Sequence, residues 1–199
     1  WKPAGGRSVR ICIVMEYHRD DVTGGAEVQV FSLARQFARA GHDVTYVCQR
    51  YNLGRPVDSA EDGVRVLRGL RWHRVFRWAS ACRLVRTVAR VRPDVVYQRG
   101  ASPFTGLAAL SARINRVPFV WGCAEDVQVA GGVLRRPAQI AVGPGLVGFA
   151  KSLVLRVNAR VNQWLFDGGL QRAQAIIVQS ARQAELLDQN YRRQATIIP

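Results

Sequence analysis

Gly24 and Gly25 stand between an apolar run that ends at Met15 and a long helical pattern that starts at about residue 26. Two residues without a Cβ let the backbone turn tightly and approach a ligand closely. The first turn of the helix that follows offers unpaired N–H groups and the positive end of its dipole. The chemistry this suits is the binding of a phosphate or diphosphate. The same residues also suit a plain strand-to-helix turn with Thr23 as N-cap, and Glu27 in the first turn already answers part of the dipole. Elsewhere the chemistry-bearing residue types are scattered. Cys12, Cys48, Cys82 and Cys123 are isolated, with no C-x-x-C pair and no histidine cluster to complete a zinc set. No metal is expected, and the cysteine usage points to a reducing compartment, hence the cytoplasm.

The elements that must position the glycines alternate. Apolar runs at Val9–Met15, Val44–Cys48, Val64–Leu67, Val95–Tyr97, Phe119–Trp121, Ala175–Val178 and Thr196–Ile198 predict strands. Helical patterns fall at 26–40, 74–91, 103–115, 148–166 and 181–190. This alternation predicts an α/β class domain, a mainly parallel sheet with helices on both faces. Ligands of such sheets bind beyond the carboxyl ends of the strands, so the loops of interest are 16–25, 97–103 and 122–130. At 199 residues the chain is long enough for a substantial core. No apolar run reaches the roughly 18 residues of a membrane-spanning helix. The start, Trp1-Lys2-Pro3, has neither an initiator Met nor an apolar signal region and reads as trimmed.

The net charge is +15, carried almost wholly by arginine. Between Asp62 and Asp94 there are nine arginines and no acid, and between Asp126 and Asp167 five cations and no acid. Such clustering attracts polyanions, either nucleic acid or an anionic membrane surface. Within 71–92 the back half is amphipathic, with Leu84, Val85, Val88 and Val91 on one face and Arg83, Arg86 and Arg90 opposite. That half packs on the sheet. The front interleaves Arg71, Arg74 and Arg77 with Trp72, Phe76 and Trp78, a membrane-interface composition, and these six are the expected membrane contact. The segment 131–153 is apolar and rich in Gly and Pro, and reads as a long loop. It suits either a lipid-bearing substrate or a lid packed on a further domain.

Taken in order, strand–GGAE–helix, HDVTYVCQ, RPDVVYQRGASPFTG, QAIIVQSARQAELL and ATIIP resemble the family-4 glycosyltransferases over residues 9–199. The resemblance implies the N-terminal, Rossmann-like half of a retaining enzyme of GT-B architecture, a three-layer α/β/α domain. It implies an acceptor-binding half whose missing C-terminal domain carries most of the nucleotide-sugar site, so that this half alone is inactive. Gly24 and Gly25 match the double glycine that approaches the donor diphosphate. Tyr97, Gln98 and Arg99 match a loop facing the cleft. Glu125 and Asp126 follow the fifth strand, where relatives carry a His or an acid touching the transferred sugar or the acceptor hydroxyl. The apparent His position here reads Cys123-Ala124, which leaves Asp126 as the better acidic candidate. The implied partners are a nucleotide sugar and a lipid-linked or surface-glycan acceptor, with no cofactor and no metal.

A nicotinamide enzyme is set aside, because ten residues separate Met15 from the end of the double glycine and the second strand ends in Cys48-Gln49-Arg50 without the ribose-binding acid. A nucleic-acid module is set aside because no helix-turn-helix, zinc or RNP-type sequence occurs. The alternative that stays open is a stand-alone, non-catalytic module binding membranes or polyanions. The expected location is the cytoplasm, peripheral at the inner face of the membrane.

Overall fold

In a computed structural model, described for residues 7–21, 24–71, 76–135 and 146–198, the chain forms one eight-stranded sheet flanked by helices. The strands are β1 (Arg10–Val14), β2 (Asp43–Arg50), β3 (Asp58–Glu61), β4 (Val64–Arg71), β5 (Val95–Arg99), β6 (Phe119–Gly122), β7 (Ala175–Val178) and β8 (Thr196–Ile197). Their order is β3-β4-β2-β1-β5-β6-β7-β8, and every pairing is parallel except β3 with β4. The helices are α1 (Gly25–Arg39), α2 (Ala81–Val91), α3 (Pro103–Ile114), α4 (Asp126–Val129), α5 (Leu146–Arg172) and α6 (Ala181–Tyr191), with a 3-10 turn at Arg77–Ser80 before α2.

Two cores lie on opposite faces of the sheet. On one, Val30, Phe31 and Ala34 of α1 cover Ile11, Ile13, Val44, Tyr46, Val64 and Val66. On the other, Leu84 and Val88 of α2, Phe104 of α3, Phe166 and Leu170 of α5 and Leu187 of α6 cover Val14, Val47, Phe119, Trp121 and Ile176. Apolar residues thus alternate to both sides along β1, which accounts for its unbroken apolar run. From β1 the chain proceeds through α1 to β2 on one side, whereas β5, β6, β7 and β8 run outward on the other. The strand order therefore reverses between β1 and β5, and the loops after these two strands open a crevice there.

Three elements depart from the sequence reading. β3 was absent from it, because Asp58–Glu61 carries no β-branched run; it is held as a hairpin by Asp62 (φ 52°) and Gly63 (φ 82°), the paired left-handed geometry that Asp-Gly favours. The predicted helix at 74–91 becomes a 3-10 turn followed by α2, whose regular part starts only at Ala81. The helix predicted for 148–166 runs from Leu146 to Arg172, so the stretch read as a loop through residue 153 is helical from Leu146 onward. Of that stretch, 136–145 lie outside the described residues. The helix continues through Gly168 and Gly169 because α5 must meet α3 closely. A Cβ on Gly169 would sit 2.7 Å from the carbonyl carbon of Thr105, and one on Gly106 2.7 Å from that of Leu165.

Candidate functional site

The helices α1, α3, α4 and α6 all begin at the carboxyl edge of the sheet, directly after β1, β5, β6 and β7. Four helix N-termini facing one edge place their positive dipole ends and free N–H groups together. α1 and α3 flank the strand-order reversal. The N-cap of α1 is Gly24, in extended conformation and without a side-chain cap. The alternative cap, Thr23, lies outside the described residues. A Cβ on Gly24 would run into the Glu27 carboxylate, whereas one on Gly25 would meet nothing within 4 Å among the described residues. The helix start is therefore open at Gly25 and covered by a flexible carboxylate at Gly24. α3 opens with Ser102, whose Oγ accepts the Phe104 N–H at 3.1 Å, followed by Pro103, a Pro position suited to a helix start.

The loop between β5 and α3 is pinned from inside. Gln98, 1% exposed, donates through Nε2 to the Arg99 and Gly100 carbonyls at 2.7 and 3.0 Å and accepts the Thr105 hydroxyl at 2.9 Å. Gly100 sits at φ 86°, and its carbonyl also accepts Trp121 Nε1 at 3.0 Å. Tyr97 is buried in the core beneath α1, close against Gly122, and burial raises its phenol pKa. Of the three residues, Tyr97 and Gln98 thus shape the loop, and Arg99 offers chemistry to the crevice. Its Nε and Nη2 are buried and have no hydrogen-bond partner. The Asp21 carboxylate of the β1–α1 loop and the Gln49 carboxamide at the end of β2 are likewise buried without a partner. Orphaned polar atoms of this kind call for an explanation, and these three residues belong to segments ending at this edge.

At the next loop Glu125 is the exposed N-cap of α4 and Asp126 starts its first turn. Asp126 Oδ1 accepts Gln183 Nε2 of α6 at 3.0 Å, and Gln183 Oε1 accepts the Gln179 N–H at 2.8 Å. Asp126 therefore ties two helix starts together, while Glu125 projects freely toward solvent. Cys123 is buried, its thiol pushed up to about 11 by burial and bonded to the Glu125 carbonyl at 3.3 Å.

Beneath the β1–α1 loop lies a charged cluster that the sequence reading missed. Arg68 is 1% exposed and donates to Glu61 Oε1 at 2.7 Å and to Ser59 Oγ at 2.8 Å. His18, fully buried, accepts the Asp20 N–H at Nδ1 at 3.3 Å, with Arg68 Nη2 also 3.3 Å from that atom. Those contacts assign the ring proton to Nε2, 3.5 Å from Glu61 Oε2. Burial lowers the His18 pKa more than the nearby Glu61 raises it. Burial also opposes the charge on Glu61, but hydrogen bonds from Arg68 and Ser59 outweigh it and hold that carboxyl below its usual range. His18, Asp20 and Glu61 place their ligand atoms within 4.8 Å of one another, yet the Arg68 guanidinium already fills that space with positive charge. The cluster joins β3 and β4 to the loop that presents Gly24 and Gly25, and His18 packs edge-on against Phe31 and Tyr46. Its signal was present in the alternation Val64, Val66, Arg68, which puts an arginine on the inward face of β4.

The expected membrane contacts are described in part. Arg71 ends β4, Arg77 opens the 3-10 turn, and Trp72 and Arg74 lie outside the described residues. Phe76 and Trp78 are exposed and stack edge-on with centroids 5.8 Å apart.

Residues 23–199 match the sequence family described as Glycosyltransferase Family 4. The chain belongs to that family. No curated protein matches it in sequence. Among solved structures it is similar to sucrose-phosphate synthase from Thermosynechococcus elongatus, with 16% identity and a TM-score of 0.62 over 97% of this chain and 48% of that one. It is also similar to Glycyrrhiza uralensis UGT73P12 complexed with glycyrrhetinic acid 3-O-monoglucuronide, with 9% identity and a TM-score of 0.52 over 97% of this chain and 49% of that one. The chain thus spans about half the length of these structures. Its α/β fold is the N-terminal half of a GT-B glycosyltransferase architecture.

Proposed function

We propose that this family-4 glycosyltransferase domain is the acceptor-side half of a retaining enzyme that moves a hexose from a nucleotide sugar to a lipid-linked or surface-glycan acceptor. The observation that carries the reading is the crevice at the β1/β5 reversal, where the start of α1 at Gly25 and the start of α3 follow neighbouring strands, and where Arg99 has two buried nitrogens with no partner among the described residues. Breaking the bond between sugar and diphosphate builds negative charge on the leaving group. Fixed N–H donors and a partly buried cation stabilise that charge as it develops, at no reorganisation cost. On this reading Gly24 and Gly25 let the backbone approach the diphosphate, Arg99 pairs with it, and Glu125 and Asp126 face the sugar or the acceptor hydroxyl. The rest of the donor site belongs to a second half of the GT-B architecture. Nucleic acid has no part in the reading.

The membrane part of the proposal rests on charge and exposed aromatics. In the sequence Arg71, Arg74 and Arg77 interleave with Trp72, Phe76 and Trp78 as a basic and aromatic segment, and the protein works at the cytoplasmic face of a membrane. Replacing the three arginines by Glu weakens sedimentation with anionic vesicles; unchanged sedimentation removes this part. Transfer itself is tested with the native protein, labelled nucleotide sugars and either extracted glycolipid or soluble glycan. Label entering one of the acceptor fractions is the expected result, and no incorporation from any donor contradicts it.

A further inference from the structure

An ordinary surface helix buries its large apolar side chains and turns its polar ones to water. α5 departs from this on its outer side, which exposes large apolar side chains as well as polar ones. Its inner side buries Leu155, Ala159 and Phe166 but also the amides of Asn158 and Gln163. Its outer side leaves Phe149 70%, Leu153 53%, Val157 49% and Trp164 69% exposed. At the α-helical period these four, with the exposed Arg156 and Arg160, fall in an arc of about 100°. An exposed apolar patch of this kind marks an interaction site. From Leu146 to Phe166 the helix carries Lys151, Arg156 and Arg160 and no carboxylate. Arg156 and Arg160 join Arg135, Gln163, Trp164 and Asp167 around a groove of about 560 Å³. Trp78 Nε1 donates to Asn158 Oδ1 at 3.0 Å, so the exposed pair Phe76 and Trp78 is anchored to the same helix.

We infer that the outer face of α5 is the docking surface for an anionic lipid bilayer, with Phe149, Leu153, Val157 and Trp164 entering the acyl boundary and Arg135, Arg156 and Arg160 binding phosphate headgroups. The inference deepens the membrane part of the proposed function and is independent of sugar transfer. Charge complementarity selects the occupant: aromatic and aliphatic side chains interleaved with arginine, and no acid before Asp167, compose a helix that lies in the plane of a membrane interface. A protein groove of matching shape would leave these arginines to be buried against apolar surface at high cost. Among the described residues no helix is long and apolar enough to cross a membrane, so the contact is with the surface. At 27 residues α5 is about 40 Å long, and its first turns extend toward the edge that carries Gly25 and Arg99. Docking there would hold that edge near a lipid-borne acceptor.

The test compares sedimentation of the native protein and its variants with phosphatidylcholine vesicles, with and without phosphatidylglycerol. Wild type is expected to sediment with the anionic vesicles and to be released by salt. Arg156→Glu with Arg160→Glu should weaken this partitioning by about tenfold or more, since each basic side chain near the surface contributes to it. Trp164→Ser with Phe149→Ser should do the same, and brominated lipid should quench wild-type fluorescence more than that of Trp164→Phe. Circular dichroism of each variant shows that the fold is kept. Variants that partition like wild type, or duplex DNA that outcompetes the anionic vesicles, overturn the inference. A protein that docks through this face and transfers no sugar keeps the docking surface and removes only the transfer reading.

Discussion

Arg99 ends β5 with two guanidinium nitrogens buried and, among the described residues, without a partner, an arrangement that costs folding energy; in the proposed reading an anion supplies the missing partner. Replacing it by Leu should therefore leave Tm unchanged or raise it. The same change should remove a charge-assisted hydrogen bond of about 1.5–3 kcal/mol, or roughly 10–150-fold in kcat/KM at 1.4 kcal/mol per decade. A variant that loses stability and keeps full turnover would show Arg99 to be a structural residue. His18 has a different signature. Its buried ring has a lowered pKa, so the unfolded chain binds more protons than the folded one below its ordinary value of about 6.5, and stability must fall as pH drops through that value. Chemical denaturation at neutral and mildly acid pH should show this slope, and His18→Gln should flatten it; an equal slope in the variant refutes the assignment. The glycines, Arg99 and Asp126 lie in or beside the loops after β1, β5 and β6, which the alternation of strands and helices singles out in the sequence. His18, Arg68 and Glu61 could not be read as a group. Fifty residues separate His18 from Arg68, and only the return of the chain through β3 and β4 brings them together.

At the scale of elements, the strands were legible wherever both faces are buried, since β1, β2 and β5 to β7 carry continuous apolar runs. β3 was not, because its residues Asp58–Glu61 are half-exposed and polar; its one local signal is the Asp62-Gly63 turn. The end of α5 was misread for a related reason. Gly168 and Gly169 look like a helix stop, but a glycine inside a helix also permits close approach of another backbone, and Gly169 meets Thr105 and Gly106 of α3. Gly169→Val should thus overpack the crossing and cost about 1–3 kcal/mol, at roughly 2–4 °C in Tm per kcal/mol. Thermal unfolding checks this. A Tm equal to wild type would mean that the two helices separate without penalty and that the crossing does not hold the start of α3 in place.

For the whole molecule, the decisive property is the reversal of strand order between β1 and β5. It brings the starts of α1 and α3 to one crevice, and the charge of +15 adds a general attraction for anions. Order and reversal follow from long-range pairing, which local patterns do not reveal. The chain belongs to glycosyltransferase family 4, and sugar transfer at that crevice through Gly25 and Arg99 is the function proposed for it. The most direct test is the rate of nucleoside-diphosphate release from nucleotide sugars by the native enzyme and by Gly25→Val, alongside their unfolding curves. A side chain at Gly25 enters open space, so folding should be almost untouched, while the diphosphate is kept from the start of α1. The expected result is a loss in kcat of about 10²-fold or more, the scale of removing one preorganised donor, with Tm essentially unchanged. Wild-type turnover in Gly25→Val would contradict it.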